Sequence, residues 1–349
     1  MKNAKYNSRN TSAKQRNSRR NKNVRINVPF AIRLIAVFLV FFYISSHFGT
    51  VPVVSEKTGN IAEKEETVQE AENLPAVAEE EPQVEVVNEE ATEPTMIIDE
   101  NALPLEIHQI DVSCANAYLI RYDDFTLFID GGQTFAYDNV LEHLDNFGVK
   151  SIDCYIATHW HKDHVANMIT ILNTFGHART LVYGPSETPS GKYWVPKGTY
   201  MQMTPGTNFK IGDVGFICVG PDEVTQNGTV NPDSLNILIQ YKDFKFLMTG
   251  DYMKDTVIKN YGELVEDIDV LQMPHHGLSP FCISEGALLH CNPSTILVPA
   301  DASKPTHELV ATLDMEARIF DNTNGSVAVV SYGNGYQVYT DVKTPNDLK

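Results

Sequence analysis

ATHWHKDHVANM, residues 157–168, sets His159, His161, Asp163 and His164 within six positions, directly behind the apolar run IDCYIAT at 152–158. The run reads as a buried strand. The cluster then reads as the loop leaving that strand's C-terminal edge, where ligands collect in α/β architectures. Imidazole and carboxylate are the expected donors for Zn²⁺ and similar ions. Four such groups crowded together would be costly without a bound positive charge. The bland alternative is a solvated helix N-terminus capped by Asp163. Three imidazoles at this spacing exceed what a cap requires.

Outward from the cluster, the chain alternates short strands and helices. LEIHQIDV (105–112), AYLIRY (117–122) and FTLFIDGG (125–132) have the composition of strands. A helix is expected over 135–147, ending before Gly148, and another over 165–175, closed by Gly176. TLVYG leads into a long Gly/Pro/Lys loop at 184–206, followed by GFICVG. SLNILIQY (234–241) and FKFLMTGD (244–251) form a hairpin around Lys242-Asp243. IDVLQMPHHG (268–277), ILVPA (296–300), a short helix from Thr306, ARIF (317–320) and the strands SVAVVSY and YQVYT complete the chain. Strands dominate both halves with helices between them, which suits two sheets packed face to face with helices outside.

The N-terminal third is a different kind of sequence. Residues 1–33 carry ten Lys or Arg and no acid, and LIAVFLVFFYISSHF (34–48) carries no charge. Counted from Val28 and tolerating Arg33 near its basic end, the apolar run is 21 residues long, enough to span a bilayer. The basic flank puts residues 1–27 in the cytoplasm. No A-x-A cleavage site follows, so the expectation is an uncleaved anchor at 28–48 rather than a signal peptide. The cell membrane, crossed once, with the C-terminal domain extracellular, is the expected location. Residues 49–102 read as an acidic, extended, disordered linker, because 51–100 hold fourteen Glu, one Asp and only two Lys. The folded domain is expected over 103–342.

The five Cys are odd in number and contain no C-x-x-C pair. Cys154 and Cys218 lie in strand-like runs, so buried thiols are expected and not a disulfide framework.

Two further motifs end apolar strands as the His cluster does. FLMTGD places Asp251, and VLQMPHHG places His275 and His276, of which at least one is a ligand candidate. Asp130 in FIDGG is either turn chemistry or part of the site. The remaining histidines, at 47, 108, 143, 177 and 290, are read as structural.

H-x-H-x-D-H after an apolar strand, preceded by FIDGG and followed by TGD and HHG, resembles the metallo-β-lactamase superfamily across 105–340. HQIDVSCANAYLI, the hairpin SLNILIQYKDFKFLMTGD, VLQMPHHG and KPTHELV are most similar to the hydrolase domain of ComEC-type DNA-uptake proteins and their free-standing relatives. The resemblance implies an α/β fold, a four-layer αββα sandwich. It implies two divalent metal ions, Zn²⁺ with Mn²⁺ as the alternative. His159 and His161 correspond to ligands of the first ion, and Asp163 and His164 to ligands of the second. Asp251 takes the bridging position and one of His275 or His276 closes the second site. Asp130 orients a ligand His. Asp163 and a late His, here His307, are the catalytic candidates, His307 as phosphate contact or general acid. A third His for the first ion, which many members place before the TGD strand, is absent. TQNGTVNPDSLNI (225–237) stands there, with Asn231 or Asp233 as substitutes. Ala166-Asn167 stands where relatives often have two glycines.

Such a pair of ions activates water and stabilises developing negative charge, which sets the reaction type and leaves the substrate open. The resemblance implies a phosphoester or nucleic-acid substrate. Residues 101–349, with fifteen Lys or Arg against thirty Asp or Glu, argue against broad duplex affinity. Lys162, Lys192 and Lys197, with Tyr193, Trp194 and Tyr200 in TPSGKYWVPKGTYM (188–201), are the candidates for a local binding rim. The same aromatics suit a choline-like headgroup, so an esterase or lactamase acting on cell-envelope components, or an inactive binding module on the same fold, stand as alternatives. The membrane, through one N-terminal helix, is the expected partner; no stable protein partner is expected.

Overall fold

The computed structural model describes residues 102–187 and 197–349. The basic stretch, the expected anchor at 28–48 and the acidic linker lie outside the described residues. Among the described residues no helix is long and apolar enough to cross a membrane.

The first sheet contains β1 (Leu105–Gln109), β2 (Ala117–Tyr122), β3 (Phe125–Asp130), β4 (Ile152–Ile156), β5 (Gly176–Gly184) and β6 (Thr199–Gln202), together with the late strands β14 (Val327–Ser331) and β15 (Tyr336–Tyr339). Their spatial order is β15-β14-β1-β2-β3-β4-β5-β6. The second sheet contains β7 (Asn208–Ile211), β8 (Val214–Gly220), β9 (Asn236–Tyr241), β10 (Phe244–Met248), β11 (Val270–Gln272), β12 (Thr295–Val298) and β13 (Arg318–Asp321), in the order β13-β12-β11-β10-β9-β8-β7. β3, β4 and β5 run parallel, as do β10, β11, β12 and β13. Both sheets therefore carry parallel strands whose C-terminal ends are open to loops.

Alternating residues of the two sheets make the central core. Ile107, Ile120, Leu127 and Ile129 from one sheet and Ile237, Ile239, Phe246 and Met248 from the other belong to one buried cluster. A second cluster joins the outer face of the first sheet to α1 (Tyr137–Asn146), α2 (Lys162–Val165) and α3 (Met168–Phe175) through Val140, Leu144, Val165, Met168 and Ile171. A third joins the outer face of the second sheet to α4 (Asp255–Val265), α5 (Glu285–Cys291) and α6 (Lys304–Thr312) through Val257, Val265, Leu288 and Val310. Each sheet is apolar on both faces, and the layers run helix, sheet, sheet, helix.

Several boundaries differ from the sequence expectation, each for a local reason. The helix expected over 165–175 is two helices, α2 and α3, broken at Ala166-Asn167. Asn167 Nδ2 donates to Gly131 O at 2.8 Å and Gln133 O at 2.7 Å, tying the break to the FIDGG turn. Gly176 ends α3 as expected, its N–H donating to Leu172 O, and at once begins β5, and the β4–β5 register slips between Ile152 and Cys154. The long loop at 184–206 contains β6, an edge strand parallel to β5. Packing continues beyond residue 342: a 3₁₀ turn at Pro345–Leu348 is capped by Thr344, and Leu348 rests on the outer layer of the first sheet. All five cysteines are free thiols.

Candidate metal centre

The predicted ligands meet at one edge of the sandwich because each follows the C-terminal end of a parallel strand. His159 and His161 follow β4, Asp251 follows β10 and His276 follows β11. One donor atom from each of Asp163, His164, Asp251 and His276 lies within 4.8 Å of the others, and the same holds for His159, His161 and Asp251. Asp251 belongs to both groups. His159 and His164 are fully buried, and Asp251 and His276 are nearly so.

Two special turns aim these residues. In TGD, Gly250 has φ +59° and a Cβ there would meet Ser234 Cβ at 3.0 Å and Thr158 Cβ at 3.1 Å. Only glycine lets the β10 terminus approach β4 this closely. In PHHG, His275 and His276 have φ of 54° and 57°. Such backbone costs about 1–3 kcal/mol per residue and persists where the surroundings over-determine it. The turn brings His276 to the cluster and leaves His275 outside it: His276 Nε2 is 3.1 Å from Asp163 Oδ2 and 3.6 Å from Asp251 Oδ1. Of the two candidates, His276 is the one placed to ligate.

The hydrogen bonds assign a free nitrogen to three of the imidazoles. His164 Nδ1 lies 2.7 Å from Asp130 Oδ2, so Nε2 is the donor atom left for a cation. Asp130 also accepts from Thr158 N and Thr158 Oγ1, both at 2.8 Å. Asp130 is thus in contact with the ligand candidate His164. His161 Nε2 lies 2.9 Å from Thr229 O, which makes that nitrogen the N–H and leaves Nδ1 free. His159 Nδ1 lies 3.3 Å from both Thr158 Oγ1 and Ser234 Oγ, leaving Nε2. Ser234 Oγ also accepts from Asp251 N at 3.1 Å.

The site fits cations. His159 Nε2, His164 Nε2 and Asp251 Oδ1 are buried without a hydrogen-bond partner. Buried polar atoms of native proteins are almost always partnered, and these unpartnered imidazole nitrogens and carboxylate oxygen are the donor types that ligate divalent ions. The electrostatics agree. Burial raises the Asp251 carboxyl, but His164, His276 and His159 outweigh it and hold the group far below the carboxylate range. Burial likewise opposes ionisation of Asp163, yet His276 and His164 bring it down to about 2. Burial, then the neighbouring His164, keeps His159 neutral. His164 is the converse case: burial disfavours its charge, but Asp251 and Asp130 on its two nitrogens raise it well above the imidazole range.

His307 lies exposed on α6 and is not among the converging groups. Lys162 is exposed at the start of α2 beside the cluster. Lys197 Nζ donates to Asn173 O at 2.8 Å, and Tyr200 Oη to Ser186 O at 2.7 Å, so both are engaged within the chain. Lys192, Tyr193 and Trp194 lie outside the described residues.

Sequence reasoning missed three supporting residues. Thr158 links Asp130 to the ligand candidates His159 and His164. Ser234 links His159 to Asp251. Gln272 clamps the TGD turn to β11, accepting from Thr249 N at 3.0 Å and donating to Gly250 O at 3.0 Å. Only Thr158, adjacent to the cluster, carried any sequence signal.

The sequence pattern described as the metallo-beta-lactamase superfamily matches residues 111–289. A hydroxyacylglutathione hydrolase of Aeromonas hydrophila is 36% identical over 72 residues, 21% of this chain and 26% of that protein. The match thus spans about a quarter of the curated relative's length. The metallo-beta-lactamase fold protein YhfI from Bacillus subtilis aligns with 67% of this chain and 99% of its own at 12% identity and a TM-score of 0.47. A diphosphatase of the PhnP family aligns with 62% of this chain and 94% of its own at 13% identity and a TM-score of 0.42.

Proposed function

The chain belongs to the metallo-β-lactamase superfamily, and we propose that it is a two-metal hydrolase acting on a phosphodiester or phosphoester at the outer face of a membrane. The observation that carries the reading is the convergence of two ligand groups on a shared, buried Asp251. His159, His161 and Asp251 hold one divalent ion, and Asp163, His164, Asp251 and His276 hold the other. When bound, such ions supply Lewis acidity, activating water near neutral pH and stabilising the charge that develops on the scissile group.

The protein's own part is positioning. Asp130 fixes the tautomer of His164, and the Thr229 carbonyl fixes that of His161. Ser234 and Gln272 hold Asp251 between the groups. Because these partners are in place before any ligand arrives, little reorganisation is left for the reaction itself. Asp163 stays ionised at neutral pH, the state that a ligand carboxylate needs. The apolar run at 28–48 and its basic flank support tethering with the hydrolase domain exported, and the acidic segment at 49–102 supports a spacer between them.

The test is metal analysis of the purified chain, followed by turnover of bis-p-nitrophenyl phosphate, single-stranded DNA and nitrocefin side by side. About two ions and diester turnover support the proposal, and DNA cleavage sharpens it to a nuclease. Two ions with no diester turnover overturn the substrate class and move it to envelope esters. No bound metal overturns the enzyme reading in favour of a binding module.

A further inference from the structure

The two ligand groups are unequal. One draws on four side chains, Asp163, His164, Asp251 and His276, and the other on three, His159, His161 and Asp251. The stretch 228–235 lies against the poorer group. Trp160 N donates to Gly228 O at 2.6 Å and Leu235 N donates to Thr158 O at 3.0 Å. Between these anchors Thr229 O meets His161 and Ser234 Oγ meets His159.

Asn231 sits inside this bracket, at the start of a 3₁₀ turn, Asn231–Asp233. Its Oδ1 is shielded from solvent and has no hydrogen-bond partner. An amide oxygen buried in that state is unfavourable unless something positive meets it. The other acidic or amide oxygen donor of the turn is already committed. Asp233 accepts from Thr225 N at 2.7 Å, Thr225 Oγ1 at 3.0 Å, Gln226 N at 2.9 Å and Gly228 N at 2.9 Å. Those bonds make Asp233 the pin that holds the loop and remove it from the ligand candidates.

We propose that Asn231 Oδ1 is the fourth protein donor of the His159–His161–Asp251 site. The proposal rests on the two-ion reading above. An amide oxygen ligates hard divalent ions and brings no charge. This site therefore has one carboxylate where its neighbour has two, and it is the weaker of the pair and fills second.

The experiment is a chelator-competition titration of the metal-stripped full chain with Zn²⁺ and with Mn²⁺, comparing wild type, Asn231→Leu and Asn231→Asp, with far-ultraviolet circular dichroism as the check of fold. The wild type is expected to take up two ions in sequence. Asn231→Leu is expected to weaken the second ion about tenfold or more, on the scale of lost metal-site partners, and to leave the first unchanged. Asn231→Asp adds a charged oxygen at the same place and is expected to bind the second ion more tightly than wild type. A residue that merely positioned the loop would give no such gain. Unchanged affinities in Asn231→Leu, equal weakening of both ions, or a wild type that binds a single ion would overturn the assignment. If Asn231→Leu does not fold, Asn231→Asp decides alone: tighter second-ion binding supports the assignment, and unchanged or weaker binding overturns it. A wild type that binds no ion refutes the two-ion reading itself, before any variant is compared.

Discussion

Asp251 Oδ1 lies 2.9 Å from His164 Nε2, both atoms deep in the site. Asp251 also belongs to both ligand groups at once.

Removal of Asp251 and removal of Asp163 should therefore differ. Asp251→Ala deletes a donor from both groups and is expected to cost both ions and all hydrolysis. Asp163→Ala deletes a donor from one group and is expected to abolish hydrolysis while the chain still holds one ion. Elemental analysis beside an activity assay separates the two. Retained turnover in metal-loaded Asp163→Ala protein would count heavily against the mechanism.

Asp130 touches the ligand His164 and both polar groups of Thr158. Asp130→Asn keeps the shape but removes the charge that holds the His164 tautomer. Metal affinity is expected to fall about 10–100-fold, with the overall fold intact. A chelator titration that shows no loss would remove Asp130 from its orienting role.

Acid should weaken the fold at a second place, away from the centre. His108 Nδ1 and His143 Nε2 lie 3.1 Å apart under β1 and α1. Burial, then the neighbouring His108, pushes His143 down to about 3. Burial also lowers His108, against the opposing pull of Glu106. The folded state thus refuses a proton that the unfolded chain accepts below pH about 6.5. Stability is present above that value and falls as pH drops towards 3, by about 1.4 kcal/mol per pH unit for one proton. Urea unfolding of the metal-free chain between pH 7 and 5 should show this slope, and His143→Phe should flatten it. An unchanged slope in the variant would place the acid sensitivity elsewhere.

The contact between the sheets contributes to the stability of the fold. Phe246 is fully buried and lies edge-on to Tyr118 across the central core, ring centroids 6.4 Å apart. Phe246→Ala is expected to cost about 3–5 kcal/mol, read as a shift in denaturation midpoint at unchanged denaturant dependence. A loss below about 1 kcal/mol would mean that the sheets are held chiefly by other contacts.

Much of the site was legible in the sequence, because its ligands follow strands that announce themselves by apolar runs. HWHKDH, TGD and HHG each end such a run, and chain chemistry at strand ends is local. Two sheets packed face to face under helices were legible because strands dominate both halves of the domain with helices between them, and the family resemblance implied the four layers. What depended on distance along the chain was not legible. The choice of His276 over His275 rests on two left-handed residues in PHHG, a backbone state that the side chains do not encode. Asp233 is as good a ligand as Asn231 by residue type, and only its four hydrogen bonds to 225–228 show that it is spent on the loop. Ser234 and Gln272 carry no local signal until the fold sets Ser234 beside His159 and Gln272 against the TGD turn. The sequence by itself thus determined which donors exist and which strand end carries each. The tertiary structure alone decided which of them meet, because the packing of two sheets brings residues more than a hundred positions apart within a few ångströms, and no local pattern records that distance.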